Sequence, residues 1–181
     1  MKKIISTVDV ETLAQELLEL SRTYEPSPPN VLRAEPPLIT KAKEVIAVAQ
    51  GPMDHAIGMV SQAMETAVIR TLLYLKAIQT IPTIGSISLQ DLSSITGAQA
   101  ALLERLLRVV VSSGFIVQTE NGEYAHSTLS LGYTNGGSML LEMLYDEGLL
   151  ALAALPRYLE AKRPDVGLVT VYSLNPQRRT S

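Results

Sequence analysis

SISLQDLSSITGAQAALLERLLRVVVSSGF, Ser86–Phe115, carries the start and stop signals of two consecutive helices. Ser88 and Asp91 stand three apart, a capping-box spacing in which hydroxyl and carboxylate satisfy free amides at a helix start. Gly97 ends that helix. The next is predicted over Ala98–Ser113, with Leu102, Leu103, Leu106, Leu107 and Val110 toward a core and Glu104, Arg105 and Arg108 outward; Glu104 is spaced to pair with Arg108. Gly114 closes it. In the following IVQTENGEYAHS, Ile116–Ser127, Asn121-Gly122 is the preferred pair for a tight hairpin turn, so two short strands are expected. Helix, helix and hairpin make a mainly α, winged-helix-like outline with a short β-hairpin wing. That outline serves nucleic-acid reading and protein packing equally well.

Charge separates the two uses. Between Gly85 and Ser130, Asp91, Glu104, Glu120 and Glu123 oppose Arg105 and Arg108, four acids against two bases, and the wing carries only acids. Over the whole chain 18 acidic residues face 15 lysines and arginines, a formal charge of −3. Phosphate contacts supply most of the affinity of nucleic-acid binders and need the opposite balance, so direct nucleic-acid binding is disfavoured.

Outward from this stretch, 181 residues at 46% hydrophobic and 18% charged predict a folded chain with a substantial core. Absence of cysteine removes disulfides and thiolate sites, and two histidines do not build a zinc site, so no metal is expected. The start MKKIISTVDVETLAQ loses its apolar run at Ile5 and lacks the core of a secretory signal; a cytoplasmic protein is expected. Glu142, Asp146 and Glu147 interrupt the apolar stretch Leu140–Leu155, which argues against a membrane span. A first helix is predicted over about Asp9–Arg22, with Thr7 or Asp9 as cap, followed by the linker YEPSPPNVLRAEPP with five prolines. Residues 1–37 are thus read as an N-terminal helix and a Pro-rich linker. A second helix opens at Leu38 and stops at Gly51-Pro52, and a long third is predicted from Met53 to Ile78. Its apolar residues cover so much of the circumference that burial on several sides is expected, with Met53, Met59 and Met64 as core filler rather than a substrate rim.

The succession ITKAKEVIAVAQGP, long apolar helix, SISLQDLSSITG, LLERLLRVVVSSGFI, wing, YAHSTLS and MLYDEGLLALAALPRYLEAKRP resembles the amino-terminal part of fungal and plant-type S-adenosylmethionine-dependent O-methyltransferases, over about Leu38–Pro164. The resemblance implies a winged-helix dimerisation domain at 38–163. In the family the next segment is a doubly wound α/β domain with a glycine-rich loop for S-adenosylmethionine and a histidine general base. DVGLVTVYSLNPQRRTS has no such loop, so residues 164–181 are expected to be a short tail, with the cofactor-binding domain absent and no cofactor expected in this chain. Gly136-Gly137 follows loop residues and reads as a turn, not a phosphate cradle.

No catalytic, cofactor-binding or metal residue is assigned. Neither His55 nor His126 has a serine and an acid arranged as a triad, so both read as structural or solvated. Asp146 and Glu147 are adjacent, point about 100° apart on a helix, and read as surface charges. The candidate site is an interface, formed by Val60, Met64, Val68, Leu72 and Leu75 of the long helix with Leu140, Leu144 and Leu152 of the last. A homodimer, or a heterodimer with a full-length methyltransferase, is expected. The functional expectation is a truncated O-methyltransferase-like protein of secondary metabolism, its dimerisation and substrate-lid part, inactive alone. The alternative is an accessory or co-regulatory protein of a fungal secondary-metabolite cluster acting through protein partners.

Overall fold

The computed structural model describes residues 10–25, 35–134 and 136–161. The chain divides into two compact units, Met1–Met64 and Glu65–Ser181, a division that falls inside the third helix. The Pro-rich linker, the caps Thr7 and Asp9, and the tail at 164–181 lie wholly or largely outside the described residues.

In the first unit α1, Val10–Arg22, packs against α2, Pro37–Ala49, and buries Leu13. Lys41 ties the two helices, with Nζ 2.8 Å from Glu16 and 2.7 Å from Glu44. Hydrogen bonding to Glu16, then to Glu44, raises the Lys41 pKa above its ordinary value. Pro36 caps α2 and Pro37 opens it, since a proline at the first helical position forfeits only an amide that has no partner there. For the same reason Pro52, read above as a stop, is the first residue of α3, Pro52–Tyr74.

In the second unit, α3 ends at Tyr74, four residues before the predicted end. Lys76 takes a left-handed conformation, φ 59°, and the chain restarts as the short α4, Ala77–Thr80. The break brings Ala77 and Ile78 into the cluster that already holds Ile69, Leu72 and Leu73. Helix α5, Leu89–Thr96, starts as predicted. The Ser88 hydroxyl accepts the Asp91 amide at 3.1 Å and donates to the Asp91 carboxylate at 2.7 Å. Gly97, φ 71°, supplies the left-handed residue that ends it. In α6, Ala100–Ser112, Leu103, Leu107 and Val110 form the buried i, i+4, i+7 stripe. Leu102, predicted toward the core, lies 100° off that stripe and is 46% exposed.

Strands β1, Ile116–Gln118, and β2, Tyr124–His126, pair antiparallel, Val117 opposite Ala125. The turn is one residue longer than expected. Gly122 donates to the Thr119 carbonyl and Thr119 donates to that of Glu123, so Glu120 and Asn121 form the corner and only Gly122, φ 79°, is left-handed. This is the three-residue hairpin loop with a glycine bulge. Ile87 adds a bridge on the free side of β2, exchanging two 2.9 Å bonds with Tyr124. Phe115 and Tyr133 meet edge to face, 4.9 Å apart, beneath the hairpin's start. Helix α7, Thr128–Leu131, and a 3₁₀ turn at Gly132–Thr134 lead to α8, Gly137–Met143. The predicted final helix is interrupted: a π-helical segment, Leu144–Leu149, joins α8 to α9, Leu150–Ala161, and Pro156 lies inside α9. Among the described residues no helix is long and apolar enough to cross a membrane.

Candidate functional site

Three features can carry function, the first two of them in the second unit. The first joins His126, at the end of β2, to Ser130, one helical turn later. The His126 Nε2–H donates to the Ile81 carbonyl at 3.1 Å, which makes Nδ1 the acceptor of the Ser130 hydroxyl at 2.9 Å in the neutral ring. Ser130 Oγ also accepts the Ser127 amide. Ser127 Oγ accepts the amides of Leu129 and Ser130 and donates to the Phe115 carbonyl at 2.6 Å. A serine is therefore hydrogen-bonded to a histidine, an arrangement the sequence reading did not anticipate. Ser130 is fully buried, and both imidazole nitrogens are already engaged. No substrate carbonyl can reach that hydroxyl, so the pair is a knot holding α7 to the hairpin and to the end of α4. Burial lowers the His126 pKa, partly offset by the bond to Ile81. The Ser127–Ser130 spacing, a reciprocal capping box, was the one visible signal.

The second feature centres on Arg70. Its Nε and Nη2 donate to Asp146 at 3.0 and 2.6 Å, a two-pronged bond between α3 and the π segment, with Glu142 4.0 Å from Nη1. Asp146, read from the sequence as a surface charge, is instead held in this fork; the partners are 76 residues apart, beyond any local pattern. The bond to Asp146 raises the Arg70 pKa further. Beside the fork Ala67, Arg70, Thr71, Tyr74 and Tyr145 line a hollow of about 240 Å³.

The third feature is apolar surface. Of the eight predicted interface residues, Leu72 is fully buried in the chain's own core, and Val68 and Leu75 lie partly buried against that core. Leu72 is thereby corrected from interface to core. Val60 and Met64 in the first unit, and Leu140, Leu144 and Leu152 in the second, are exposed. Met53 and Met59 are exposed as well, so the methionines are not core filler. Leu140 and Leu144 belong to a dense run, since Met139, Met143, Leu149, Leu150 and Leu152 are also exposed. On α6, Arg108 is engaged by Glu104 at 3.3 Å, which takes up one of that region's two arginines.

Comparison with known proteins agrees with this architecture. No family model matches the chain. It is 29% identical over 160 residues to the aflatoxin cluster transcriptional coactivator aflS of Aspergillus parasiticus, covering 83% of this chain and 36% of that protein. It is 26% identical over 159 residues to the O-methyltransferase GME11366 of Pestalotiopsis microspora, covering 87% of this chain and 39% of that one. Among solved structures, OxaC in complex with SAH and oxaline superposes with a TM-score of 0.72 at 20% identity, over 88% of this chain and 41% of OxaC. That likeness shows the fold: a mainly helical region with a small hairpin. The chain spans little more than a third of the length of these two relatives. Similarity to O-methyltransferase-like proteins extends over most of the chain, and both enzymes and a coactivator are among them.

Proposed function

We propose that the chain is the dimerisation and substrate-lid part of an O-methyltransferase-like protein of fungal secondary metabolism, and that it works by packing against other protein surfaces. One observation carries this reading. Seven large apolar side chains, Met139, Leu140, Met143, Leu144, Leu149, Leu150 and Leu152, stand exposed within fourteen residues. Apolar surface gathered so densely marks an interaction site. In this reading the chain takes no S-adenosylmethionine by itself, and its winged-helix-like outline serves packing, not DNA reading. The partner is a second copy or a full-length methyltransferase. Light scattering should give a mass of twice 19.6 kDa for the chain alone. A monomer that fails to co-purify with a full-length methyltransferase overturns the proposal, as does micromolar binding of S-adenosylmethionine in calorimetry.

A second reading is favoured by the name of the coactivator relative. Here the same surface belongs to an accessory or co-regulatory protein of a secondary-metabolite cluster and engages a transcription factor. Co-purification with a cluster transcription factor, in place of a methyltransferase, selects this reading. The acid-rich hairpin fits either partner and opposes direct contact with phosphates.

A further inference from the structure

We propose that Met139 and Met143, on α8, are an oxidation site: a peroxide converts their thioethers to sulfoxides, makes the apolar surface of α8 and α9 polar and keeps the chain apart from its partner. Oxidation would thus control the surface of the protein-contact reading above, on which the proposal rests. The chain has no cysteine, so thioethers are its only oxidisable sulfur. Every methionine among the described residues, Met53, Met59, Met64, Met139 and Met143, is more than half exposed, although methionine is ordinarily among the most buried residue types. The core cluster around Leu72, Leu73 and Leu107 contains none, nor do the partly buried side chains packed against it. An oxidant therefore reaches these sulfurs without any unfolding, and the added oxygen disturbs no core packing.

Position singles out two of them. Met139 and Met143 are about one helical turn apart and share a face of α8, at 73% and 55% exposure. They alternate with the exposed Leu140 and Leu144 in one apolar run. In the oxidation a sulfur lone pair attacks one oxygen of the peroxide, and the S–O bond forms as the O–O bond breaks. The hydroxide that departs takes the proton from the transferred oxygen and leaves as water. Sulfur loses two electrons and the peroxide gains them. Each sulfoxide oxygen is a hydrogen-bond acceptor that an apolar contact buries without a donor, so two of them on one face should weaken assembly about tenfold or more.

The test treats the full chain with hydrogen peroxide, removes the excess with catalase and locates the added oxygen by peptide mass spectrometry. Assembly is then read by light scattering of the chain alone and by co-purification with a full-length methyltransferase added after the catalase step. Oxygen should appear at Met139 and Met143, the thermal midpoint should be unchanged, and assembly should weaken and return on treatment with a methionine sulfoxide reductase. Met139→Leu/Met143→Leu should assemble normally and keep assembling after peroxide, whereas Met53→Leu/Met59→Leu/Met64→Leu should stay sensitive. Assembly that survives oxidation of both sulfurs, a double variant as sensitive as the unmodified chain, a resistant triple variant, or a loss of assembly that the reductase does not reverse overturns the proposal while the protein-contact reading stands. So do sulfurs that take up no oxygen and a thermal midpoint that falls with assembly. An untreated chain that assembles with no partner overturns both.

Discussion

His126 shows how one side chain can be fixed by its surroundings without doing chemistry. Its Nε2–H is committed to Ile81 and its Nδ1 to Ser130, and burial disfavours the charged ring. The folded pKa lies below the unfolded value of about 6.5, so the folded state binds fewer protons than the unfolded one as pH falls. The stability this residue contributes is fully present above that unfolded value and is lost as pH falls through the lower folded value. Thermal unfolding should show a midpoint that drops on acidification below neutrality, with a smaller drop in His126→Gln. An unchanged slope in the variant would assign the acid sensitivity elsewhere. His126→Ala should cost about 1–3 kcal/mol at neutral pH, because the Ile81 carbonyl loses its side-chain donor, whereas the Ser130 hydroxyl can still donate to the Ser127 carbonyl at 3.2 Å. Lys76 is the second informative residue. A lysine at φ 59° pays for a conformation that glycine adopts freely, so Lys76→Gly should raise the urea midpoint by the equivalent of about 0.5–1 kcal/mol. At this scale the sequence revealed what depends on near neighbours: the Ser88 cap, the left-handed Gly97, the Glu104–Arg108 pair. It hid the Ile81 carbonyl, 45 residues from His126.

Elements were legible in type and order, and least so where tertiary packing overrode a continuous local pattern. Nothing in LLYLKAIQ marks a helix end, yet burying Ala77 and Ile78 beside Leu72 and Leu73 requires the turn at Lys76. The final helix reads as one amphipathic run because a π segment changes neither composition nor propensity. The extra residue per turn rotates the chain, and Asp146 sits in that segment, engaged by Arg70. The fork should therefore hold the segment in register. Arg70→Lys and Arg70→Ala should destabilise by similar amounts, about 1 kcal/mol each, because an ammonium cannot reproduce the two parallel bonds; the value is discounted for the half-exposed carboxylate. Hydrogen exchange should accelerate over Leu144–Leu149 in both variants. Protection restored by lysine would show that charge alone, not fork geometry, holds the segment.

For the whole molecule, hydrophobic pattern predicts which residues avoid water but not which surface removes them from it. Leu72 and Leu144 look alike as apolar positions on amphipathic helices, and both were assigned to one interface. In the folded chain Leu72 is fully buried among Leu73, Ile78 and their neighbours, whereas Leu144 is 52% exposed. The difference arises from the break at Lys76 and from the π segment, neither of which has a local signature. It also separates folding from association experimentally. Leu72→Asp places a carboxylate in a dry core without a partner, so it should cost more than the roughly 2–5 kcal/mol of a leucine truncation and leave little folded protein. Leu144→Asp at a half-exposed site should change the stability of the isolated chain by about 0.5 kcal/mol or less. Under the proposed function it should also abolish assembly, since a buried charge at an interface has no water and no partner. Urea unfolding read beside light scattering distinguishes the outcomes. A Leu144→Asp chain that stays fully folded yet keeps its assembled mass would place the contact surface away from the π segment and leave the exposed leucines of α8 and α9 unexplained. A chain that loses mass at unchanged stability would locate the contact there.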